Sequence, residues 1–81
     1  MYKVYILKSI NFRRYYVGHT ADINKRVEDH NAGLTRSTKG YVPWELIYTE
    51  DYQTKAEAMR REKQIKSYKG GNAFKKLINK I

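Results

Sequence analysis

Apolar residues along this chain of 81 residues fall into short runs at the start and into helical spacings further on. Residues 2–7 are rich in β-forming side chains and apolar on both faces, which predicts a central strand. Residues 15–18 predict a second strand, and the polar residues 9–14 between them predict a hairpin loop. Residues 44–49 predict a third strand, which follows a polar loop over residues 35–43.

The first helix is predicted between the second and third strands. Thr20 or Asp22 is its N-cap, because a hydroxyl or carboxylate there can accept a hydrogen bond from a free helix amide. Gly33 is its natural end, since glycine readily adopts the left-handed conformation that closes a helix. The inner apolar stripe contains Ile23 and Val27, with Leu34 as a candidate third member.

Two further helices are predicted in the last third of the chain. Thr54 and Glu57 have the spacing of a capping box, which begins a helix that runs to about Tyr68 and is broken by the glycine pair at 70–71. Asn72 is the predicted cap of a last helix. The apolar positions are Ala58, Met59 and Ile65 in the former helix and Phe74, Leu77, Ile78 and Ile81 in the latter.

The predicted order of elements is therefore β-β-α-β-α-α, in a single domain that spans residues 1–81. The economical packing is an α/β fold of the α+β type, in which helices flank a three-stranded, mostly antiparallel sheet. A hydrophobic content of 41% and an aromatic content of 14% are typical of a folded chain rather than a disordered one.

The charge of the chain is strongly basic and unevenly distributed. Seventeen basic and eight acidic side chains give a formal net charge of +9. Residues 1–54 carry eight basic and six acidic side chains, whereas residues 55–81 carry nine and two. Such a basic half attracts polyanions, of which nucleic acid is the commonest in a cell. A solvated basic face, or a surface that meets an acidic protein, is the alternative reading.

Composition also excludes several classes of function. There is no cysteine, so disulfides, thiolate zinc sites and thiol redox chemistry are excluded. Residues 1–9 contain only a short apolar stretch broken by Lys3 and Lys8, which predicts neither a signal peptide nor a membrane span. We therefore expect a cytoplasmic protein with no membrane association.

Two pairs of side chains are candidates for chemistry on a phosphate. Tyr5 and Tyr16 lie on adjacent antiparallel strands, so a short hairpin brings them close, and a phenol of lowered pKa can accept a proton from water. Arg26 and His30 are four residues apart, so they project from one helix face and could clamp a phosphate. The alternatives are ordinary strand tyrosines and a solvated helix face where Glu28 or Asp29 pairs with the arginine.

Glu62 is the candidate metal ligand. It is spaced three residues from both Met59 and Ile65, so it falls on the helix face where an apolar residue is expected. A carboxylate there must be paired or bind a cation, and the alternative is an ion pair with Lys66 or Arg26. One carboxylate suits a single Mg²⁺ or Mn²⁺ ion, because Mg²⁺ keeps several waters and takes few protein ligands.

These residues, in this order, resemble the GIY-YIG endonuclease family, and in particular its small single-domain members. The first signature corresponds to Val4-Tyr5, with Lys3 in place of the leading glycine, and the second to Tyr16-Val17-Gly18. The resemblance covers nearly the whole chain. Its other elements are Thr20, Arg26, His30-Asn31, Gly33 and the segment from Glu57 to Lys66.

The resemblance implies a DNA-cleaving module that uses one divalent metal ion. By position, Tyr5 and Tyr16 flank the attacking water, and one of them is the general base. Arg26 stabilises charge on the phosphate, His30 supports the leaving group or the phosphate, and Glu62 binds the metal. His19 follows the second signature, where some family members carry a lysine that helps to activate a tyrosine; a protonated imidazole could replace it.

The expected function is that of a metal-dependent endonuclease that hydrolyses DNA phosphodiesters with low sequence specificity, in DNA repair or recombination. RNA as a substrate, a homodimer and a targeting protein partner are left open. The rivals are a non-catalytic nucleic-acid-binding module of the same fold and an adaptor for an acidic protein. Salt-sensitive contacts with the nucleic-acid backbone are expected from a basic set: Arg60, Arg61, Lys63, Lys66, Lys69, Lys75 and Lys76.

Overall fold

The computed structural model describes residues 1–79, and its elements follow the predicted order. A short 3-10 helix lies within the loop that precedes the third strand. No helix among residues 1–79 is long and apolar enough to cross a membrane. The elements are β1 (Tyr2–Ser9), β2 (Tyr15–Thr20), α1 (Ile23–Asn31), the 3-10 helix (Lys39–Tyr41), β3 (Trp44–Tyr52), α2 (Lys55–Ser67) and α3 (Asn72–Ile78).

The three strands form one antiparallel sheet in the order β2-β1-β3, so β1 is central, as its two apolar faces predict. Residues 4–7 of β1 are all buried. In the register of the first hairpin, Tyr5 lies opposite Gly18 and Leu7 lies opposite Tyr16. The predicted strands are thus confirmed, and each extends beyond the residues that the apolar pattern marked.

The sheet has a different cover on each face. On one face, Val4 and Ile6 of β1 pack with residues of α2 and α3, including Ile65 and Phe74. On the other face, Tyr5, Leu7 and Trp44 form a smaller cluster with side chains of α1 and of the loop before β3. Because successive side chains of a strand point to opposite faces, Val4 packs in the first cluster and Tyr5 packs in the second.

Helix α1 is fixed at both ends by side chains. Asp22 is the N-cap, and its carboxylate accepts a hydrogen bond from the Lys25 amide at 3.1 Å. At the other end, the Asn31 side chain accepts a hydrogen bond from the Trp44 amide at 2.6 Å and donates one to the Trp44 carbonyl at 3.1 Å. Gly33 follows with φ of 78°, which is the left-handed conformation expected at a helix end.

The apolar pattern was wrong at two positions, which it predicted to be buried and which are exposed in the structure. Leu34 is 72% exposed because α1 ends before it, so it does not join the inner stripe. Met59 is 41% exposed, and the buried positions of α2 are Ala58 and Ile65. The capping box at Thr54 and Glu57 is confirmed, with both reciprocal hydrogen bonds formed.

The prediction for the start of α3 was also wrong. The N-cap is Gly71, without a side-chain hydrogen bond, and Asn72 is the first residue of the helix. Phe74 and Leu77 are buried, as the helical spacing predicts. The predicted fourth apolar position, Ile81, lies outside the described residues.

A cluster of polar side chains joins β3 to α2 on the outer part of the sheet. The carboxylate of Glu50 accepts hydrogen bonds from the Arg61 guanidinium at 2.8 and 3.0 Å, from the Tyr52 hydroxyl at 2.7 Å and from the Tyr48 hydroxyl. Burial raises the pKa of Glu50, but the donors, Arg61 first, outweigh it and lower the pKa to about 2. The cluster therefore holds an ionised carboxylate as a link between the sheet and α2.

We predict that Glu50→Gln destabilises the fold at neutral pH by about 1–3 kcal/mol, because it removes charge-assisted hydrogen bonds. Since the pKa of Glu50 is lowered in the folded state, its contribution is present above the ordinary value of 4.5 and is lost as the pH falls towards 2. Urea unfolding followed by circular dichroism at pH 7 and about pH 3 measures the difference. Glu45→Gln, at an exposed position of the same strand, is the control; an equal cost of Glu50→Gln at both pH values would contradict the prediction.

Candidate active site

The candidate residues meet at β2, the edge strand on one side of the sheet. From one face come Tyr5, Tyr16 and two side chains of α1. From the other face, His19 meets Glu62 of α2. The site therefore wraps around an open sheet edge, which a polymeric substrate can approach from outside.

The two tyrosines are placed by the register of the hairpin. They are diagonal neighbours on one face, with ring centroids 6.2 Å apart and a tilt of 36°. Tyr5 crosses directly over Gly18: a Cβ atom at position 18 would lie 2.6 Å from the Tyr5 hydroxyl oxygen and 3.0 Å from the Tyr16 ring. Only glycine leaves room for the phenol at this point, which explains the glycine of the second signature.

His30 lies behind Tyr5 and is completely buried. Its Nε2 atom is 2.9 Å from the Tyr5 hydroxyl, and its Nδ1 atom is 2.8 Å from Thr38 Oγ1. Thr38 Oγ1 donates to the Thr35 carbonyl at 3.3 Å, so it accepts the proton of Nδ1. Nε2 is then the acceptor for the Tyr5 hydroxyl, and the four groups form one directed chain of hydrogen bonds.

The burial of His30 bears on the role that the family resemblance implies for it. In this structure His30 has no exposed surface and lies 2.9 Å from the Tyr5 hydroxyl, so any contribution it makes to chemistry on a phosphate would pass through Tyr5, which is itself only 1% exposed. Burial, followed by the charge of Arg26, lowers the pKa of His30, which keeps the imidazole neutral and able to accept a proton. Sequence reasoning missed Thr38, because a buried hydroxyl in a polar loop carries no periodic signal.

Burial also raises the pKa of Tyr5, to about 12, although interaction with Arg26 opposes the rise. Arg26 is one helical turn before His30, as its spacing predicts, and interaction with Tyr5 raises the pKa of its guanidinium. An ion pair between Arg26 and Asp29 was the alternative, but the carboxylate of Asp29 lies 3.7 Å from the ammonium of Lys25 instead. Arg26 is half-buried beside both phenols and presents a fixed positive charge there.

Glu62 enters from α2 and is held by two donors. Its Oε1 atom is 2.6 Å from His19 Nδ1, and its Oε2 atom is 2.6 Å from Lys66 Nζ. Burial raises the pKa of Glu62, but Lys66 and then His19 outweigh it, so the pKa is lowered and the carboxylate is ionised. His19 therefore contacts the carboxylate rather than a tyrosine, and the Lys66 pairing weighed for Glu62 is present.

A single hard cation fits this carboxylate. The side chain of Glu62 is 17% exposed, so its oxygens are reachable, and the Lys66 ammonium already occupies a cation position against Oε2. Lys66 is half-exposed on a flexible chain, and it can be displaced. Residues 1–79 contain no group of three or more His, Cys, Asp or Glu side chains placed to hold a metal ion. Any ion here would keep most of its waters.

The basic residues named for the nucleic-acid backbone fall into two groups. Arg61 is bound to Glu50, and Lys66 is bound to Glu62, so each has a partner within the fold. The remaining five are exposed on α2, α3 and the turn between them, where they can meet phosphates without breaking an ion pair with these two carboxylates: Arg60, Lys63, Lys69, Lys75 and Lys76.

Comparison with known proteins points to one family. The GIY-YIG catalytic domain matches residues 1–76. A UPF0213 protein of Halobacterium salinarum is 43% identical over 67 residues, which are 82% of this chain and 86% of that protein. A UPF0213 protein of Staphylococcus aureus is 46% identical over 66 residues, with coverage of 80% and 79%. The solution NMR structure of a UPF0213 protein from Bacillus halodurans matches 96% of this chain and 82% of its own, at 30% identity and a TM-score of 0.60.

We predict that Gly18→Ala destabilises the fold by about 1–3 kcal/mol and separates the Tyr5 hydroxyl from His30, because the added methyl group meets the phenol. Chemical unfolding measures the loss of stability, and the ¹⁵N shifts of the His30 ring measure the change at Nε2. Gly40→Ala is the matched control, since a Cβ at position 40 has no atom within 4 Å. A Gly18→Ala variant as stable as Gly40→Ala, with unchanged His30 shifts, would contradict the prediction.

Proposed function

Because this chain belongs to the GIY-YIG family, whose catalytic domain is of the nuclease type, we propose that it is a metal-dependent endonuclease that hydrolyses DNA phosphodiesters. The observation that carries the proposal is the directed hydrogen-bond chain from Tyr5 to His30 at the edge that Glu62 also reaches. A binding module needs phosphate contacts, and in such a module this chain of hydrogen bonds would serve only to stabilise the fold, whereas a nuclease also uses the imidazole as a proton acceptor behind the phenol.

Tyr5 is proposed to activate water through His30. A phenol with a pKa of about 12 is almost entirely protonated at pH 7, with roughly one phenolate in 10⁵ molecules. Tyr5 can still accept a proton from water if its own proton passes to His30 Nε2 at 2.9 Å in the same step. Because Tyr5 is only 1% exposed, this step requires that substrate binding admit the water beside the phenol. The imidazolium that forms keeps its Nδ1 proton, which is donated in a hydrogen bond to Thr38 Oγ1. The hydroxide attacks phosphorus as the P–O bond to the leaving oxygen breaks.

Arg26 is proposed to stabilise the charge of the attacked phosphate. Its guanidinium lies beside the two phenols, so a phosphate that faces the activated water also faces Arg26. The same charge lowers the pKa of His30 and so maintains the neutral acceptor at rest. As the relay charges the imidazole, the dianionic phosphate that develops between Arg26 and the water offsets the added positive charge.

Glu62 is proposed to hold the metal, Mg²⁺ or Mn²⁺, after Lys66 is displaced from Oε2. When bound, such an ion polarises the phosphate and stabilises the departing oxygen. His19 remains on Oε1 and orients the carboxylate from the second oxygen. Lys66, once released, becomes available to a neighbouring phosphate.

Sequence specificity is proposed to be low. The helices within residues 1–79 pack on the sheet, and the exposed basic residues suit phosphates better than base edges. Targeting would then come from the structure of the DNA, from a protein partner or from a second copy of the chain. DNA repair or recombination is the setting that supplies such substrates, and RNA is a further substrate to test.

We predict metal-dependent cleavage of labelled DNA that Glu62→Gln lowers by about 10²–10³-fold, because the charge that holds the metal is removed. Single-stranded, duplex and branched substrates with Mg²⁺ or Mn²⁺ are the assay. Glu57→Gln is the matched control, as the same change on the same helix at a capping position. Equal cutting by wild type and Glu62→Gln would reject the site, and binding without cutting on every substrate would favour the binding module.

We also predict that the acid limb of the cleavage rate lies below pH 6.5. The pKa of His30 is lowered from that value, so more than half of the imidazole is neutral at pH 6.5, and the acceptor site is lost only as the pH falls further. A pH–rate profile measures the limb, and circular dichroism at each pH separates it from unfolding. A limb at or above pH 6.5 would contradict the relay, and Tyr5→Phe should abolish cleavage across the whole range.

A further inference from the structure

An aromatic groove adjoins the candidate site on the α2–α3 side of β2. It has a volume of about 260 Å³ and is bounded by β2, the end of α2 and α3. Ile65 and Phe74, both buried core residues, form its apolar base, and Tyr15 lies at its side. The groove is smaller than the roughly 300–1,000 Å³ of sites for drug-sized ligands, so it suits a single ring system.

Tyr15 is the exposed aromatic side chain of this groove. Its ring meets Phe74 edge to face, with centroids 5.2 Å apart and an interplanar angle of 73°. Tyr15 nevertheless remains 44% exposed, although Val17, two residues further along the same face of β2, is buried. An aromatic ring that is fixed by the core yet open to solvent is a stacking platform at low entropic cost.

Two lysines give the groove its charge. Lys66 Nζ lies 5.8 Å from the Tyr16 ring centroid, and Lys69 follows at the turn that ends α2. Lys69 is the one non-glycine residue with positive φ among those described, at 50°. A lysine in the left-handed conformation is locally unfavourable, and the fold maintains it at the edge of the groove.

The groove and the candidate site share Tyr16 and Lys66. A strand whose phosphate lies between Arg26 and Glu62 would therefore bring its adjoining nucleotide to the groove. The groove matches the two parts of a nucleotide. The nucleobase would stack on Tyr15 over the apolar floor, and the phosphates would meet the lysines at the rim. A base within a duplex is already stacked and paired, so it cannot enter.

We propose that this groove binds one unpaired nucleobase next to the scissile phosphate, so that the preferred substrate is single-stranded DNA or a single-stranded branch. The proposal rests on the proposed nuclease function for the meaning of "scissile", but its binding test does not need turnover. It assigns Tyr15 to base stacking and Lys69 to the phosphate of that nucleotide.

The test is fluorescence anisotropy in EDTA, with a short oligothymidylate and an abasic oligodeoxynucleotide of the same length as probes. Wild type should bind the oligothymidylate more tightly. Tyr15→Ala should weaken that binding by about 5- to 100-fold, the range that stacking on one aromatic ring provides, and leave abasic binding nearly unchanged. Tyr15→Phe should restore the preference, since the ring and its contact with Phe74 are kept.

Lys69→Gly separates charge from folding. Glycine relieves the positive φ, so the variant should be at least as stable as wild type, yet it should bind both probes more weakly and with a smaller salt dependence. Lys75→Ala is the matched control, because it removes the same charge from an exposed position of α3 outside the groove. Lys69→Gly should have the larger effect of the two.

The proposal is overturned if wild type binds both probes equally, or if Tyr15→Ala weakens both to the same extent while still folded. It is also overturned if duplex DNA of the same length binds as tightly as the single strand. Base-dependent binding without cleavage of any substrate would support the groove and reject the nuclease. Cleavage without base-dependent binding would reject the groove alone.

Discussion

The hydrogen bond between Tyr5 and His30 is the interaction on which the rest of this structure depends. It joins the central strand to α1 at a point with no exposed surface, and Thr38 extends it to the loop before β3. A buried imidazole or phenol without a partner would cost about 1–3 kcal/mol, which is a large fraction of the stability of so small a domain. The fold therefore requires the same side chains in the same protonation states as the proposed chemistry.

The position of the site follows from a second constraint, which is the open edge of β2. An unpaired strand edge is a liability that proteins commonly manage with charged or covered side chains. Here His19, Glu62 and Lys66 form a hydrogen-bonded polar cluster beside that edge, on the α2 side. The polar residues that protect the edge are thus the residues that the proposed function uses, and access for a polymer is preserved.

The sequence was sufficient for the architecture because the three-stranded sheet has strong local signals. A strand apolar on both faces can only be central, and the Thr54–Glu57 capping box is a reciprocal local interaction that tertiary contacts do not override. Leu34 and Met59 were misplaced because periodicity marks a helix face without indicating whether anything packs against it. Asn72 was misplaced because the residue types that cap a helix also occur in its first turn, so residue type alone does not separate the two positions.

The candidate residues could be named from the sequence, but the contacts between them could not. Tyr5, Tyr16, Arg26, His30 and Glu62 could be named from spacing and resemblance, yet neither gives depth. Only the packing of α1 on the sheet places His30 behind Tyr5, with no surface exposed to solvent. Likewise, the contact of His19 with Glu62 joins residues 43 positions apart, and no local pattern can encode it.

The electrostatics of the chain also bear on how a metal would arrive in the proposed function. A domain with a net charge of +9 repels divalent cations and attracts polyanions, and Glu62 already has the ammonium of Lys66 as its counter-ion. In the proposed function, bound DNA would reverse both conditions, because it would add negative charge at the edge of β2 and offer Lys66 a phosphate in place of the carboxylate. Metal and nucleic acid should therefore bind cooperatively, since each would reduce the charge repulsion, or the loss of the Lys66–Glu62 ion pair, that opposes binding of the other alone. In the proposed function, this coupling would give a single carboxylate enough affinity for the metal where the substrate is present, and little where it is absent.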